Sequence, residues 1–186
     1  MKTKKEIKIK KAKPKYPEKD WLSPKIEFRS SPTHGKGMFA KKPIKKGEVV
    51  MMWGGPYIVK SEVQKAKEAG KLVIQLDENL FSVDERGECI TYFINHSCDP
   101  NVWMDDAVKF SARRNISKDE ELTIDYMLFE DDENKIASWD CDCASKLCRK
   151  KITGKDWRLP ELQKKYNSHF SPLINKKIER LNKGKP

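Results

Sequence analysis

Phe93-Ile94-Asn95-His96-Ser97-Cys98-Asp99-Pro100-Asn101 is the stretch on which the reading of this chain turns. Two apolar residues lead into Asn, His, Ser, Cys, Asp and Asn within nine positions. An ordinary turn uses such side chains singly, as caps or Asx turns. Here they are crowded enough to read as a site. Downstream, Asp119-Glu120-Glu121-Leu122-Thr123-Ile124-Asp125-Tyr126 alternates apolar and polar residues and ends on a tyrosine, the pattern of a half-buried strand.

The cysteines add a second signal. Of five in the chain, Cys141, Cys143 and Cys148 form Cys-x-Cys-x4-Cys. Thiolates this close can face one ion from a tight loop, and zinc takes four such ligands at about 2.3 Å. The cluster supplies three, so the fourth comes from Cys98, Cys89 or a histidine. An odd number of cysteines without an apolar leader argues against disulfides. Four sulfur ligands leave no open position, so such a zinc organises the chain rather than catalyses.

Composition and charge bound the rest. The 186 residues are 37% hydrophobic and 36% charged, one domain's worth with a lean core. Val49–Trp53 is the longest apolar run, far short of the roughly 20 residues that span a bilayer. No apolar stretch follows the Lys-rich start, so a secretory signal is not expected. The net charge of +11 sits at the ends. Residues 1–19 hold nine Lys against Glu6 and Glu18, and residues 176–186 hold five basic side chains against Glu179. The body carries 25 basic and 25 acidic side chains and is neutral. A neutral body with Lys-rich arms suits salt-dependent contact with nucleic acid or simple solubility, rather than a basic binding face.

Short apolar runs punctuated by Gly and Pro predict a mainly β fold with few helices. Strands are expected at Ile26–Arg29, Met38–Ala40, Glu48–Trp53, Leu72–Leu76, Leu80–Val83, Val108–Ala112 and Glu121–Tyr126. Helices are expected at Ser61–Ala69, capped by Ser61 and stopped at Gly70, and at Leu159–Tyr166 and Pro172–Leu181.

Taken in order, His34-Gly35-Lys36-Gly37-Met38-Phe39-Ala40, Trp53-Gly54, FINHSCDPN, EELTIDY and the cysteine triplet resemble the SET-domain protein lysine methyltransferases with a post-SET zinc segment. The likeness runs from about Ile26 to Cys148. It implies a SET fold of several small sheets with a pseudoknot, few short helices and a zinc-bound post-SET segment. The expected organisation is a basic tail over 1–19, a SET domain over 20–139, a post-SET segment with a C-terminal helix over 140–175 and a basic tail over 176–186.

The resemblance further implies methyl transfer from S-adenosylmethionine to the side-chain amine of lysine in a basic protein, of histone or nucleoid type. Lys36, Gly37, Met38, Asn95 and His96 would bind the cofactor and Tyr126 would be the catalytic tyrosine. Cys98 would complete the structural zinc set with Cys141, Cys143 and Cys148, leaving Cys89 a core thiol. Ile124, Tyr92, Tyr57 and Trp157 would border the substrate channel. The aromatic segment Trp157, Tyr166, His169 and Phe170 would fold over the cofactor or anchor the last helices. An intracellular, nuclear or nucleoid-associated monomer is expected.

The chemistry fits these residue types. In-line displacement needs alignment, dryness and placed dipoles more than a dedicated base. A free lysine has a pKa of about 10.4, and burial in an apolar channel beside a cationic sulfur lowers it. Tyr126 can orient the amine with its hydroxyl and wall the channel with its ring. Glu121 reads as a structural partner in its strand, and His96 as positional. Asp105, Asp106, Asp119, Glu120 and Glu130–Glu133 form either a solvated face or a negative rim for a Lys-rich peptide, the chain's own tail included. Three departures stand out: Met52 where the second motif often has Tyr, Thr91-Tyr92 where an Ala-Arg pair is frequent, and Ile124 where Phe or Tyr is usual. Lacking a hydroxyl, Ile124 points to di- or trimethylation. The alternatives are a non-catalytic SET scaffold and a zinc-stabilised nucleic-acid-binding protein that uses its tails.

Overall fold

The computed structural model describes residues 16–85, 90–130, 132–137 and 139–184. Cys89 and the N-terminal lysines through Lys15 lie outside them. The strands are β1 (Trp21–Leu22), β2 (Ile26–Ser30), β3 (Lys36–Ala40), β4 (Val49–Met52), β5 (Tyr57–Ile58), β6 (Leu72–Asp77), β7 (Leu80–Asp84), β8 (Asn95–His96), β9 (Val102–Met104), β10 (Lys109–Ala112) and β11 (Glu121–Ile124). The helices are α1 (Val63–Glu68), α2 (Pro160–Tyr166) and α3 (Pro172–Lys183). The fold is mainly β, as the short apolar runs predict.

Three small sheets result, ordered β1-β4-β10-β9, β2-β3-β11-β8 and β5-β7-β6. The second positions the site. Its β2–β3 hairpin closes through a Ser31 N–H to Gly35 carbonyl bond of 2.8 Å, and β3 pairs antiparallel with β11. On the other side of β11, the two residues of β8 pair in parallel, Asn95 opposite Thr123 and His96 opposite Ile124. The third-motif segment is thereby laid beside the fourth.

Two glycines are set by close approach. A Cβ on Gly37 would stand 2.2 Å from Glu121 Oε1, and one on Gly54 would stand 2.0 Å from the Lys19 carbonyl carbon. At Gly54 only a residue without a side chain lets the two backbones pass, and at Gly37 it leaves room for the Glu121 carboxylate.

One core joins the first two sheets to the C-terminal helices. It contains Met38, Met51, Trp53, Phe110, Leu122 and Ile124 together with Trp157, Tyr166, Phe170 and Ile174. A smaller cluster of Ile58, Ala66, Phe81 and Val83 lies under α1. A third, of Cys98, Met127, Cys141 and Ile152, binds the cysteine segment to the body. Ser171 accepts the Ile174 N–H at 3.3 Å and Pro172 opens α3, a start in which the missing proline N–H costs nothing.

The structure differs from expectation at three places. Ser61 does not cap the first helix; the chain enters it through a 3-10 turn, Lys60–Glu62, without a side-chain cap. The strand expected to reach Tyr126 ends at Ile124, because Asp125 accepts the Met127 N–H at 3.2 Å and starts a 3-10 turn over Tyr126–Leu128. The basic segment after Lys176 continues as helix to Lys183, with Lys176 and Arg180 paired to Asp77 and Glu78 at 3.0 and 3.1 Å.

Candidate active site

Asn95, His96 and Tyr126 meet on one cavity of about 230 Å³, with Thr33, His34, Trp139, Asp140, Cys141, Asp142 and Cys143 forming the rest of its wall. Thirty residues of sequence separate His96 from Tyr126; the β8–β11 pairing and the turn after β11 bring them together.

Asn95 is clamped. Its Nδ2 faces the His34 and Lys36 carbonyls at 3.2 and 3.3 Å and donates to Glu121 Oε1 at 2.7 Å. Glu121 Oε2 in turn accepts from Ser31 Oγ at 2.9 Å. Glu121 is therefore the structural partner its strand position suggests. Among the described residues nothing donates to Asn95 Oδ1, so that oxygen is available to a ligand.

His96 is held at both ring nitrogens. Nδ1 accepts the Tyr126 N–H at 3.3 Å, and Nε2 lies 3.4 Å from Cys98 Sγ. That network places the ring proton on Nε2. Burial, against the pull of Asp125, drops the His96 pKa to about 4, so the ring is neutral and positional.

The Tyr126 hydroxyl donates to the Ile94 carbonyl at 3.0 Å. Burial first, and then the Glu121 charge, pushes its pKa up to about 12. At neutral pH it is a fixed hydroxyl dipole. Its ring packs near His96, Phe129 and Trp139.

Cys98, Cys141, Cys143 and Cys148 bring all four sulfurs within 4.8 Å of one another. The Cys98–Cys141 separation is 3.8 Å, the edge of a tetrahedron whose centre lies about 2.3 Å from each corner. Main-chain N–H groups support the sulfurs, Cys98 N on Cys143 at 3.4 Å and Arg149 N on Cys98 at 3.3 Å. The donor set fits a structural tetrahedral metal ion.

Beside this loop lies a buried charge cluster that sequence reading left out. Arg149 donates from Nη1 and Nη2 to the two Asp125 oxygens at 2.7 and 2.8 Å, and from Nε to Asp156 at 2.8 Å. The Tyr166 hydroxyl donates to Asp125 at 2.8 Å. Burial works to raise the Asp125 pKa, but the Arg149 hydrogen bonds and charge outweigh it and hold the carboxylate ionised.

Other expected site residues lie elsewhere. Lys36, Gly37 and Met38 flank the cavity wall without forming it; Lys36 meets Asn95 through its carbonyl, and Met38 is fully buried. Ile124 is fully buried at the end of β11, opposite His96. Tyr57 is buried, with its hydroxyl on the Pro17 carbonyl at 2.5 Å. Tyr92 is exposed and packs edge-on against Phe93. Trp157, Tyr166 and Phe170 anchor the last helices in the core, and His169 stacks on Trp103 with centroids 3.5 Å apart. Half of the expected acidic rim is internally paired, Asp119 with Arg29, Glu120 with Arg114, Glu130 with Lys135 and Glu133 with Arg158, and Asp131 lies outside the described residues. The carboxylates at the cavity are those of Asp140 and Asp142.

The chain is similar to known proteins. The family model described as SET domain matches residues 35–127, half of the chain. Histone-lysine N-methyltransferase ATX2 of Arabidopsis thaliana is 31% identical over 147 residues, covering 70% of this chain and 13% of that protein. Histone-lysine N-methyltransferase trithorax of Drosophila virilis is 36% identical over 138 residues, covering 66% of this chain and 3% of that protein. A solved structure of a humanized mutant of the Chaetomium thermophilum Polycomb Repressive Complex 2 is 26% identical with a TM-score of 0.46, over 54% of this chain and 14% of that one. The chain thus spans 13% of one curated relative and 3% of the other. The matched segment holds the first four motifs, the β8–β11 pairing and Tyr126, and the chain belongs to the SET-domain family.

Proposed function

We propose that the chain is a protein-lysine N-methyltransferase that uses S-adenosylmethionine, takes a histone or similar basic protein as substrate, and holds a structural zinc on Cys98, Cys141, Cys143 and Cys148. The observation that carries the reading is the convergence of Tyr126, Asn95 and His96 on one cavity closed by the cysteine loop. The curated relatives' names, histone-lysine N-methyltransferases in each case, support the substrate class. Acting on a histone would place the protein on chromatin. Among the described residues no helix is long and apolar enough to cross a membrane.

When bound, S-adenosylmethionine supplies an electrophilic methyl group on a cationic sulfur. The acceptor groups of the cavity suit such a cation. Asn95 Oδ1 can accept from an ammonium, and the Asp140 and Asp142 carboxylates stand at the rim, where Lys151 and Lys150 pair with them. Tyr126 presents a hydroxyl that stays protonated and orients the incoming lysine nitrogen. His96 takes no proton, because both its nitrogens are engaged; it fixes the Tyr126 backbone instead. The lysine sheds its proton to solvent as burial disfavours its charged form, and the rate comes from alignment.

The test is transfer of labelled methyl from S-adenosylmethionine to histones, nucleoid proteins, ribosomal proteins and the chain itself, with Tyr126→Phe in parallel. Label on lysine that falls about 100-fold or more in the variant is the expected result. Absence of both label and cofactor binding would remove the methyltransferase reading. Peptide mass spectrometry of the same reactions shows whether the chain's own Lys-rich ends carry any of the label.

A further inference from the structure

Tyr126 is tied to the cysteine cluster from two sides. Its backbone N–H hangs on His96, whose other nitrogen meets Cys98 Sγ. The residue before it, Asp125, is fully buried and receives both Nη groups of Arg149. Arg149 directly follows Cys148, and its own N–H lies on Cys98 Sγ. One residue therefore holds the cysteine loop with its backbone and the tyrosine turn with its side chain. A third contact, Nε to Asp156, fixes the guanidinium plane, and Asp156 is itself held by Thr153 Oγ1 at 2.7 Å.

This geometry does more than fill space. Asp125 has four donors on its two oxygens: two from Arg149, one from Tyr166 and one from the Met127 N–H that starts the turn. The carboxylate that shapes the Tyr126 turn thus takes its orientation chiefly from Arg149. Planar, bidentate charge-assisted bonds set position more tightly than single contacts do. A misplacement of about 1 Å at a reacting group can cost roughly 100-fold in rate.

We infer that Arg149 is a positioning residue that transmits the order of the metal-loaded cysteine loop to Tyr126, so that metal loading sets the placement of the tyrosine hydroxyl. The inference rests on the methyltransferase reading for its kinetic consequence, and its structural half stands without it. In wild type, removing the metal loosens the Asp125–Phe129 turn. In Arg149→Met the turn is loose even with the metal in place.

The experiment loads wild type and Arg149→Met with cobalt(II) and confirms four-thiolate binding from the charge-transfer absorbance. Amide hydrogen exchange of the peptide spanning Asp125–Phe129 is then measured, and kcat is separated from KM for S-adenosylmethionine. The expected result is cobalt binding retained, exchange about tenfold faster or more, kcat down by about tenfold or more, and KM within about threefold. Arg149→Lys should recover only part of the loss, because an ammonium cannot engage both carboxylates in the same plane. Wild-type exchange and kcat in a metal-loaded Arg149→Met protein would overturn the inference. If that variant does not load metal, Asp156→Asn decides: it spares the cysteines and Asp125 and removes the charged partner of Nε that fixes the guanidinium plane. Faster turn exchange supports the inference and unchanged exchange overturns it. If wild type neither binds cofactor nor transfers methyl, the enzyme reading falls, and the exchange comparison still settles the role of Arg149.

Discussion

Tyr126 is half of the proposed chemistry, and its contacts define what a substitution removes. Among the described residues its hydroxyl makes one hydrogen bond, to the Ile94 carbonyl, so Tyr126→Phe should cost only about 1 kcal/mol of stability while the rate collapses. Melting temperature and methyl transfer, measured on one preparation, separate the two effects. Ile124, buried two residues before it, has no hydroxyl to hold a water against the amine. Ile124→Tyr is expected to shift product from di- and trimethyllysine toward monomethyllysine, read by mass spectrometry of a histone peptide; an unchanged product ratio would exclude that role. Asp84, remote from the reaction, makes a prediction about stability. Burial first, then Asp20 and Glu85, push its pKa up to about 6, above the unfolded value of about 3.9. The folded protein holds this proton more tightly, so the associated stability is complete below about pH 4 and is lost as pH rises through about 6. Asp84→Asn should shrink the difference in urea stability between pH 4.5 and pH 7.5, by on the order of 1 kcal/mol after solvent screening. An undiminished difference would mean that Asp84 does not carry it.

Elements as short as β8 gain their meaning from their neighbours. Two residues cannot form a strand alone; Asn95 and His96 are extended because β11 offers them a parallel edge. The register matters because the side-chain period is two, and a slip by one residue would turn Asn95 away from Glu121. The same closeness governs β3. Gly37→Ala would drive a Cβ into Glu121 Oε1, displacing the carboxylate that clamps Asn95. The expected outcome is a loss of about 1–3 kcal/mol in thermal or chemical unfolding. Cofactor affinity should weaken about tenfold in calorimetric titration, because Asn95 loses its charge-assisted partner. Unchanged affinity would show that the Asn95 clamp has no part in binding. The strand that stops at Ile124 carries the same lesson: alternation in Glu121–Tyr126 suits a longer strand, but the buried Asp125 is claimed by Arg149 and caps a turn instead.

For the molecule as a whole, the cysteine cluster ties the segment that precedes the C-terminal helices to the body, beside the main core. Cys98 comes from the body, Cys141, Cys143 and Cys148 from the loop, and Met127 and Ile152 pack with them. Structural zinc contributes folding free energy directly. Chelation is therefore expected to lower the melting temperature by more than about 10 °C and to open residues 139–150 to proteolysis, both reversed by zinc. A chelated protein with unchanged melting and protease resistance would show that the four thiols hold the loop without a metal.

How much could be read in advance depended on whether a residue's role is local. The motif order, the cysteine spacing, the mainly β pattern and the positions of α2 and α3 are written in neighbouring residues, because turn chemistry, periodicity and ligand type act over a few positions. Those same motifs carried Tyr126, Asn95, His96 and the four cysteines. Arg149, Asp125 and Asp156 were invisible as a cluster, since a charged residue near a cysteine loop looks like any surface charge until a fold buries it against a carboxylate. Trp157, Tyr57 and Tyr92 show the converse. Aromatic type suits a channel or a core equally, and only packing assigns Trp157 to the core, Tyr57 to the Pro17 carbonyl and Tyr92 to the surface. By itself the sequence determined the family, the candidate chemistry and three of the four clustered thiols, with Cys98 named only through the family resemblance. The tertiary structure alone decided which polar groups are buried together, because burial and long-range charge pairing are properties of the assembled core and not of any stretch of chain.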